Sequence, residues 1–205
     1  MQSGQLRAIA VTLVLLYHAG WIPGGYIGVD VFYVLSGFLI TRLILREENF
    51  SFTDFYARRA KRLLPASFLV LILTSILFWF MAPSISREQY SKDLLASTWY
   101  VSNYLYAHWQ NDYQNLGAAP SPLIHFWSLA VEEQFYLFWP LLLILFRKHL
   151  RVIVPFLTIV SFIVSSILVI RAPIFAFYSL PTRAFELGIG ATLALFYIQL
   201  QRYRN

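Results

Sequence analysis

The chain reads as long apolar stretches separated by short polar ones, a pattern of helices in lipid rather than of half-buried strands. Six stretches carry it: residues 6–19, 29–45, 63–82 with Pro83 at its end, 126–146 with polar residues at its start, 152–170 and 184–200. A hydrocarbon core needs roughly 20 helical residues, about 17 at the short end. The six therefore predict an all-α, polytopic transmembrane bundle forming one membrane domain over residues 1–205. A weaker segment, 94–108, contains Ser97, Thr98, Ser102 and Asn103 and is open to three readings: a span, a dip and return, or an interfacial helix. Connections are short except 46–62 and the polar run 107–121.

Composition supports lipid as the solvent. Side chains are 59% apolar, 18% aromatic and 13% charged in 205 residues, against about half apolar and a quarter charged in soluble domains. Sixteen Lys and Arg against ten Asp and Glu give a net charge of +6. In a soluble chain that would suggest nucleic acid; here its distribution reports topology, and no nucleic-acid partner is expected. With the N-terminus in the cytoplasm and 94–108 kept on the far side, twelve basic residues, Arg7 among them, fall at cytoplasmic ends and four outside. Were 94–108 to cross, the split would be nine to seven. The positive-inside rule favours the first arrangement, with six crossings and both termini cytoplasmic. Residues 6–19 also have the outline of a secretory signal, but a second span follows at once and no soluble domain is left to export. The absence of Cys excludes disulfides, a thiolate zinc site and a cysteine nucleophile. The four His show no ligand spacing, so no metal is expected.

Ionisable groups inside spans carry the chemical information, because each costs at least ~2.5 kcal/mol near the bilayer centre and so has a partner or a task. Arg7 and His18 are eleven residues apart, which puts them on one face of the first helix, roughly 16 Å apart along its axis. Histidine exchanges a proton near neutrality and suits a general base or an acyl carrier; an interfacial His with a snorkelling Arg fits the same spacing. Gly24, Gly25 and Gly28 lead into the second helix, where Asp30 suits the positive N-terminal end and Ser36 and Gly37 suit close packing. Arg59 and Arg62, in the basic run 56–65, are helical neighbours whose planar forks can hold phosphate; topology setting and contact with anionic lipid are the alternatives. His125, Ser128, Glu132, Tyr136 and Trp139 fall along one helical face. Glu132 there can accept a proton or orient an imidazole, or simply bridge helices.

Together, Arg7 with ten residues before His18, GGYIGVDVFYVLSGFLIT, FYARRAKRLLPA, HFWSLAVEEQFYLFWPLLL and RAFELGIGATLA resemble the acyltransferase 3 family of bacterial membrane O-acetyltransferases. The nearest pattern is its O-antigen and peptidoglycan O-acetylase branch, and the resemblance covers nearly the whole chain. It implies that His18 is the essential histidine and that Arg7 belongs to the same motif. Arg59 and Arg62 match arginines associated with acyl-donor binding, Glu132 matches the family's acidic residue, and Asp30, Ser36, His125 and Ser128 are supporting positions. The implied activity moves an acyl group, expected to be acetyl, from cytoplasmic acyl-CoA to a hydroxyl of a cell-surface or exported glycan. Acetyl-CoA is then a co-substrate, no cofactor is permanently bound, and the lipid bilayer of a bacterial inner membrane is the setting. Two alternatives stay open. One is a proton-coupled transporter or channel component using the same buried groups, which would not need the Arg59 and Arg62 pair. The other is an inactive truncated remnant, since the family's membrane domain is longer than this chain.

Overall fold

The six apolar stretches all become helices, and their ends show what hydropathy alone leaves undefined. The computed structural model describes residues 3–81, 87–109 and 121–204. Among them are nine helices and no strand: α1 (Ser3–His18), α2 (Ile27–Arg46), α3 (Phe52–Met81), α4 (Arg87–Thr98), α5 (Ser102–His108), α6 (Phe126–Leu145), α7 (Leu150–Arg171), α8 (Pro173–Tyr178) and α9 (Leu180–Arg204). Pro83 and most of the polar run 107–121 lie outside the described residues. Five stretches are long and apolar enough to cross a membrane, namely α2, α3, α6, α7 and residues Pro173–Gln201, while α1 is a shorter apolar helix. Sixteen residues of α1 reach about 24 Å, less than the ~30 Å of a hydrocarbon core.

One boundary corrects the sequence reading and a second narrows it. The supposed connection 46–62 is largely helix: α3 begins at Phe52, so the basic run is a helical extension of the span. Thirty residues reach about 45 Å, enough to carry that run clear of the hydrocarbon. The weak segment is not one helix. It breaks between α4 and α5 at Tyr100, a non-glycine residue with φ of 53°, and neither piece, of 12 and 7 residues, is long enough to cross.

Contacts group the chain into two units. The first comprises 1–48, 135–168 and 180–205. At its centre α2 lies between α1 and α9. Gly25 and Gly28 let the α2 end of the hairpin sit against the α1 backbone, where a Cβ at Gly28 would meet the Ala10 carbonyl oxygen and the Val14 side chain. On the opposite side α2 and α9 interlock through glycines: a Cβ at Gly37 would overlap the carbonyl of Leu187, and one at Gly190 that of Val34. Asp30 meets Arg183, Arg42 lies over Tyr197 and Arg46 meets Gln201. The pairs advance together, so α2 and α9 run parallel. Parallel running requires an even number of crossings from α2 to the end of α9; α3, α6, α7 and α9 satisfy this and a further crossing by 94–108 would not. Helix α7 packs on α9 in the opposite sense: Ser161 Oγ donates to Pro181 O at 2.6 Å, while Thr158, earlier on α7, stands against Gly188, further along α9. Trp139 Nε1 of α6 donates to the buried Thr41 Oγ1 at 2.8 Å.

The second unit comprises 49–134 and 169–179. Leu71, Tyr90, Leu123 and Phe126 form its apolar centre, with Phe78, Leu94 and Leu129 packed around them and Phe78 stacked on Tyr90 at 4.1 Å. Tyr100 is held against its unfavourable backbone by three hydrogen bonds. Its N–H donates to Ser97 O, its hydroxyl donates to Ser67 Oγ at 3.0 Å, and its carbonyl accepts from Gln134 Nε2 at 2.8 Å. An αL non-glycine residue costs on the order of 1–2 kcal/mol, and it persists because the surroundings over-determine it.

Candidate functional site

In the first unit the polar groups collect at the α2 N-terminal end. Asp30 stands in the first turn of α2, at the positive end of the helix; the cap residue is Tyr26, with no side-chain cap hydrogen bond. Asp30 Oδ1 instead accepts from Arg183 Nη2 at 2.6 Å. Arg183 Nη1 also lies 3.1 Å from Glu186 Oε1, and its guanidinium lies 5.7 Å from the ring centre of buried Tyr33. Glu186 is 95% buried, and its Oε2 has no hydrogen-bond donor among the described residues. One guanidinium thus serves two carboxylates inside apolar helices. Ser36 is fully buried one turn and a half further along α2.

Arg7 needs a correction. Its guanidinium sits 5.5 Å from the ring of Phe32, and Ala10 lies opposite Gly28. Arg7 is therefore level with the first two turns of α2, not with Arg42 and Arg46 at its far end, and the charge asymmetry stands without it. His18 ends α1 and is exposed. Its Nδ1 is 2.8 Å from Val14 O, one turn back. A carbonyl only accepts, so Nδ1 carries the hydrogen in this contact and Nε2 is the basic nitrogen. The Tyr17 ring meets the imidazole edge-on at 5.4 Å.

The second unit holds the remaining expected residues. His125 is not on the helix with Ser128 and Glu132; it lies in the turn before Phe126, exposed, and its carbonyl accepts from Ser128 Oγ at 3.2 Å. Glu132 is 95% buried on α6. Its neighbour Glu133 takes Arg59: Nε donates to Oε2 at 2.9 Å and Nη2 to Oε1, a two-point contact between a carboxylate and a guanidinium fork. Arg59 and Arg62 share α3 but differ in surroundings, Arg59 being half-buried against Glu133 and Arg62 exposed beside Arg58 and Lys61. Gln134 completes the acidic stretch, its Nε2 donating to Asn103 Oδ1 at 2.9 Å, while Asn103 Nδ2 donates to Tyr178 O at 3.1 Å.

Outside the spans, α4 and α5 bury a second polar group. Asp93 is 98% buried and accepts from Gln89 Nε2 at 3.0 Å. Burial raises its pKa, against the lowering effect of hydrogen bonds from Ser121 and Gln89. The buried Tyr106 phenol is pushed up to about 12, first by burial and then by the Asp93 charge.

Sequence reasoning missed Glu133, Arg183, Glu186, Asn103 and Gln134 as site members. A signal existed for Glu186, an acid inside the predicted span 184–200. Nothing local announces that Asp30 meets Arg183 across 153 residues.

Apolar helices with ion pairs and buried carboxylates set among them define a multi-pass membrane protein with polar sites. The chain matches the acyltransferase-domain profile of the acyltransferase 3 family over residues 4–204, and it belongs to that family. It is 38% identical, over 92% of its length, to the peptidoglycan O-acetyltransferase OatA of Listeria monocytogenes, and the match covers 32% of that protein. To the O-acetyltransferase OatA of Staphylococcus aureus it is 41% identical over 80% of its length, covering 28% of that protein. YrhL of Bacillus subtilis is 39% identical over 93% of the chain. The chain thus spans about a third of the length of the curated relatives it matches. No solved structure matches it.

Proposed function

We propose that the chain is the acyl-transferring membrane part of an O-acetyltransferase, taking acetyl from cytoplasmic acetyl-CoA and delivering it to a glycan hydroxyl beyond the membrane. The relatives' names make peptidoglycan the acceptor to test first. The reading rests above all on His18, an exposed imidazole at the end of α1 whose Nδ1 donates to Val14 O, which makes Nε2 the basic nitrogen. In the reaction the thioester C–S bond breaks and an ester O–C bond forms. The glycan hydroxyl proton passes to His18 Nε2, and the departing thiolate takes up a proton as CoA thiol. An acetyl-imidazole formed on Nε2 before transfer to the hydroxyl gives the same overall balance.

Donor capture is assigned to the basic start of α3, cytoplasmic by the charge bias. Arg62, Lys61 and Arg58 are exposed there for the phosphates of a CoA ester. Arg59, clamped by Glu133, holds its fork in a fixed orientation at the edge of that face. Arg7, with Nε buried and no acceptor for it among the described residues, is a further cation available to a developing negative charge. Family membership and this basic face favour an enzyme over a proton-coupled transporter.

The test is transfer of labelled acetyl from acetyl-CoA to peptidoglycan by the purified chain in lipid. His18→Ala is expected to abolish transfer while acetyl-CoA still binds, and Arg62→Ala with Lys61→Ala to weaken acetyl-CoA binding at least tenfold. Transfer that survives His18→Ala at full rate refutes the assignment.

A further inference from the structure

The groove between α2 and α9 has a volume of about 390 Å³ and is lined by Asp30, Val31, Val34, Leu35, Phe185, Glu186 and Ile189. Its two polar residues are carboxylates bound to the same guanidinium, at 2.6 Å and 3.1 Å. Two carboxyl groups share one guanidinium, and the buried Oε2 of Glu186 is left with no hydrogen-bond partner among the described residues. A buried carboxyl oxygen without a partner is costly, and Glu186 lines the groove, so a hydroxyl seated there would relieve that cost. A metal cation is disfavoured because it would face the Arg183 guanidinium across both carboxylates. A neutral hydroxyl meets no such repulsion, and the apolar walls below suit the carbon face of a sugar ring.

We infer that this groove is a subsite for the sugar acceptor, with Glu186 Oε2 accepting a hydrogen bond from one of its hydroxyls and Arg183 fixing the carboxylate's orientation. The inference rests on the glycan acceptor of the proposed function. It adds a location for that acceptor in α2 and α9, which neither His18 nor the α3 arginines provide.

The experiment measures binding rather than turnover, on the purified 205-residue chain in lipid nanodiscs. The probes are a soluble N-acetylglucosaminyl-N-acetylmuramic acid disaccharide and, separately, acetyl-CoA. Two variants are compared with the unaltered chain. Glu186→Gln keeps the shape of the side chain but replaces one carboxyl oxygen with an amide nitrogen that cannot accept a hydrogen bond. Ile189→Trp fills the groove from an exposed position on α9, with thermal unfolding showing that each variant is folded. Expected are at least about tenfold weaker disaccharide binding for Glu186→Gln, loss of it for Ile189→Trp, and unchanged acetyl-CoA binding in both. Disaccharide affinity unchanged in either folded variant overturns the inference, as does an unaltered chain that does not bind the disaccharide. Failure of the unaltered chain to bind acetyl-CoA would instead count against the proposed function, and the disaccharide series would still decide the groove.

Discussion

The parallel packing of α2 on α9 can be tested at one atom. In a helix interior Ala is ordinarily favoured over Gly by about 1 kcal/mol, so Gly190→Ala should stabilise α9 if that position were open. It is not open. A Cβ there falls on the Val34 carbonyl oxygen, and a Cβ at Gly37 falls on the Leu187 carbonyl oxygen. Both obstacles are backbone, which no rotamer change removes, so the helices must separate by on the order of 1 Å in an interior packed as densely as an organic crystal. Overpacking of this kind costs about 1–3 kcal/mol. Against the propensity gain, and with rigid backbone placing it in the upper half of that range, the net loss is about 1–2 kcal/mol, a fall in Tm of roughly 3–6 °C. Tryptophan fluorescence during heating of the purified chain in detergent gives the comparison. Gly4→Ala is the control, since nothing stands within 4 Å of a Cβ at Gly4, and its Tm should hold or rise. Gly188→Ala should fall between the two, because its obstacle is the Thr158 side chain. The double variant Gly37→Ala with Gly190→Ala should lose less than the sum, since one separation relieves both overlaps. A Gly190→Ala chain that melts at or above the unaltered chain refutes the interlock.

Three further outcomes are expected. Glu133→Gln should destabilise the second unit by about 2 kcal/mol, because the half-buried Arg59 is left without its ionised partner; a double-mutant cycle with Arg59→Met, read by thermal unfolding, should recover part of the loss. Asp93 has a folded pKa raised above its ordinary 3.8, so its contribution favours folding most below that value and declines as pH rises through the folded pKa. Stability of Asp93→Asn relative to the unaltered chain should therefore improve from pH 3 upward and then level off, and a flat difference over that range would contradict the burial argument. Tyr100→Phe removes the hydroxyl that donates to Ser67 and should cost about 1 kcal/mol in the same unfolding assay, leaving the backbone at φ of 53° unchanged.

Hydropathy located five spans and the shorter apolar helix α1 because it measures solubility in lipid, and it overcounted by one because α1 is apolar without being long enough to cross. It could not place the helix ends, since a basic run such as 56–62 is helical without being apolar and so joined α3 unseen. Residues 94–108 were ambiguous for a related reason: small polar residues are compatible with a span, and the break depends on Tyr100 adopting a backbone that only Ser67, Ser97 and Gln134 make tenable. Parallel running of α2 and α9 was implicit in the charge count, which asked for an even number of crossings between them.

The candidate site was legible to the extent that its chemistry is local. Eleven residues on a helix place Arg7 and His18 on a common face whatever packs against it, and the hydrogen on His18 Nδ1 follows from a carbonyl one turn earlier. Partner choice is not local. Glu132 and Glu133 are adjacent, and a periodicity argument singles out Glu132 as the acid on the apolar face; only the placement of α3 gives Glu133 the arginine. The same rule that marked Glu132, an ionisable side chain within a predicted span, applies without change to Glu186 in 184–200. The partner of Glu186, Arg183, lies one residue outside that stretch, so the stretch taken alone holds an acid with no cation. A cation at a helix start can both set topology and pair with an acid inside the span, and here Arg183 pairs with both Asp30 and Glu186. Acids inside predicted spans should therefore be weighed together with the cations a turn beyond the span's edge, because a guanidinium reaches back into the hydrocarbon region to meet them.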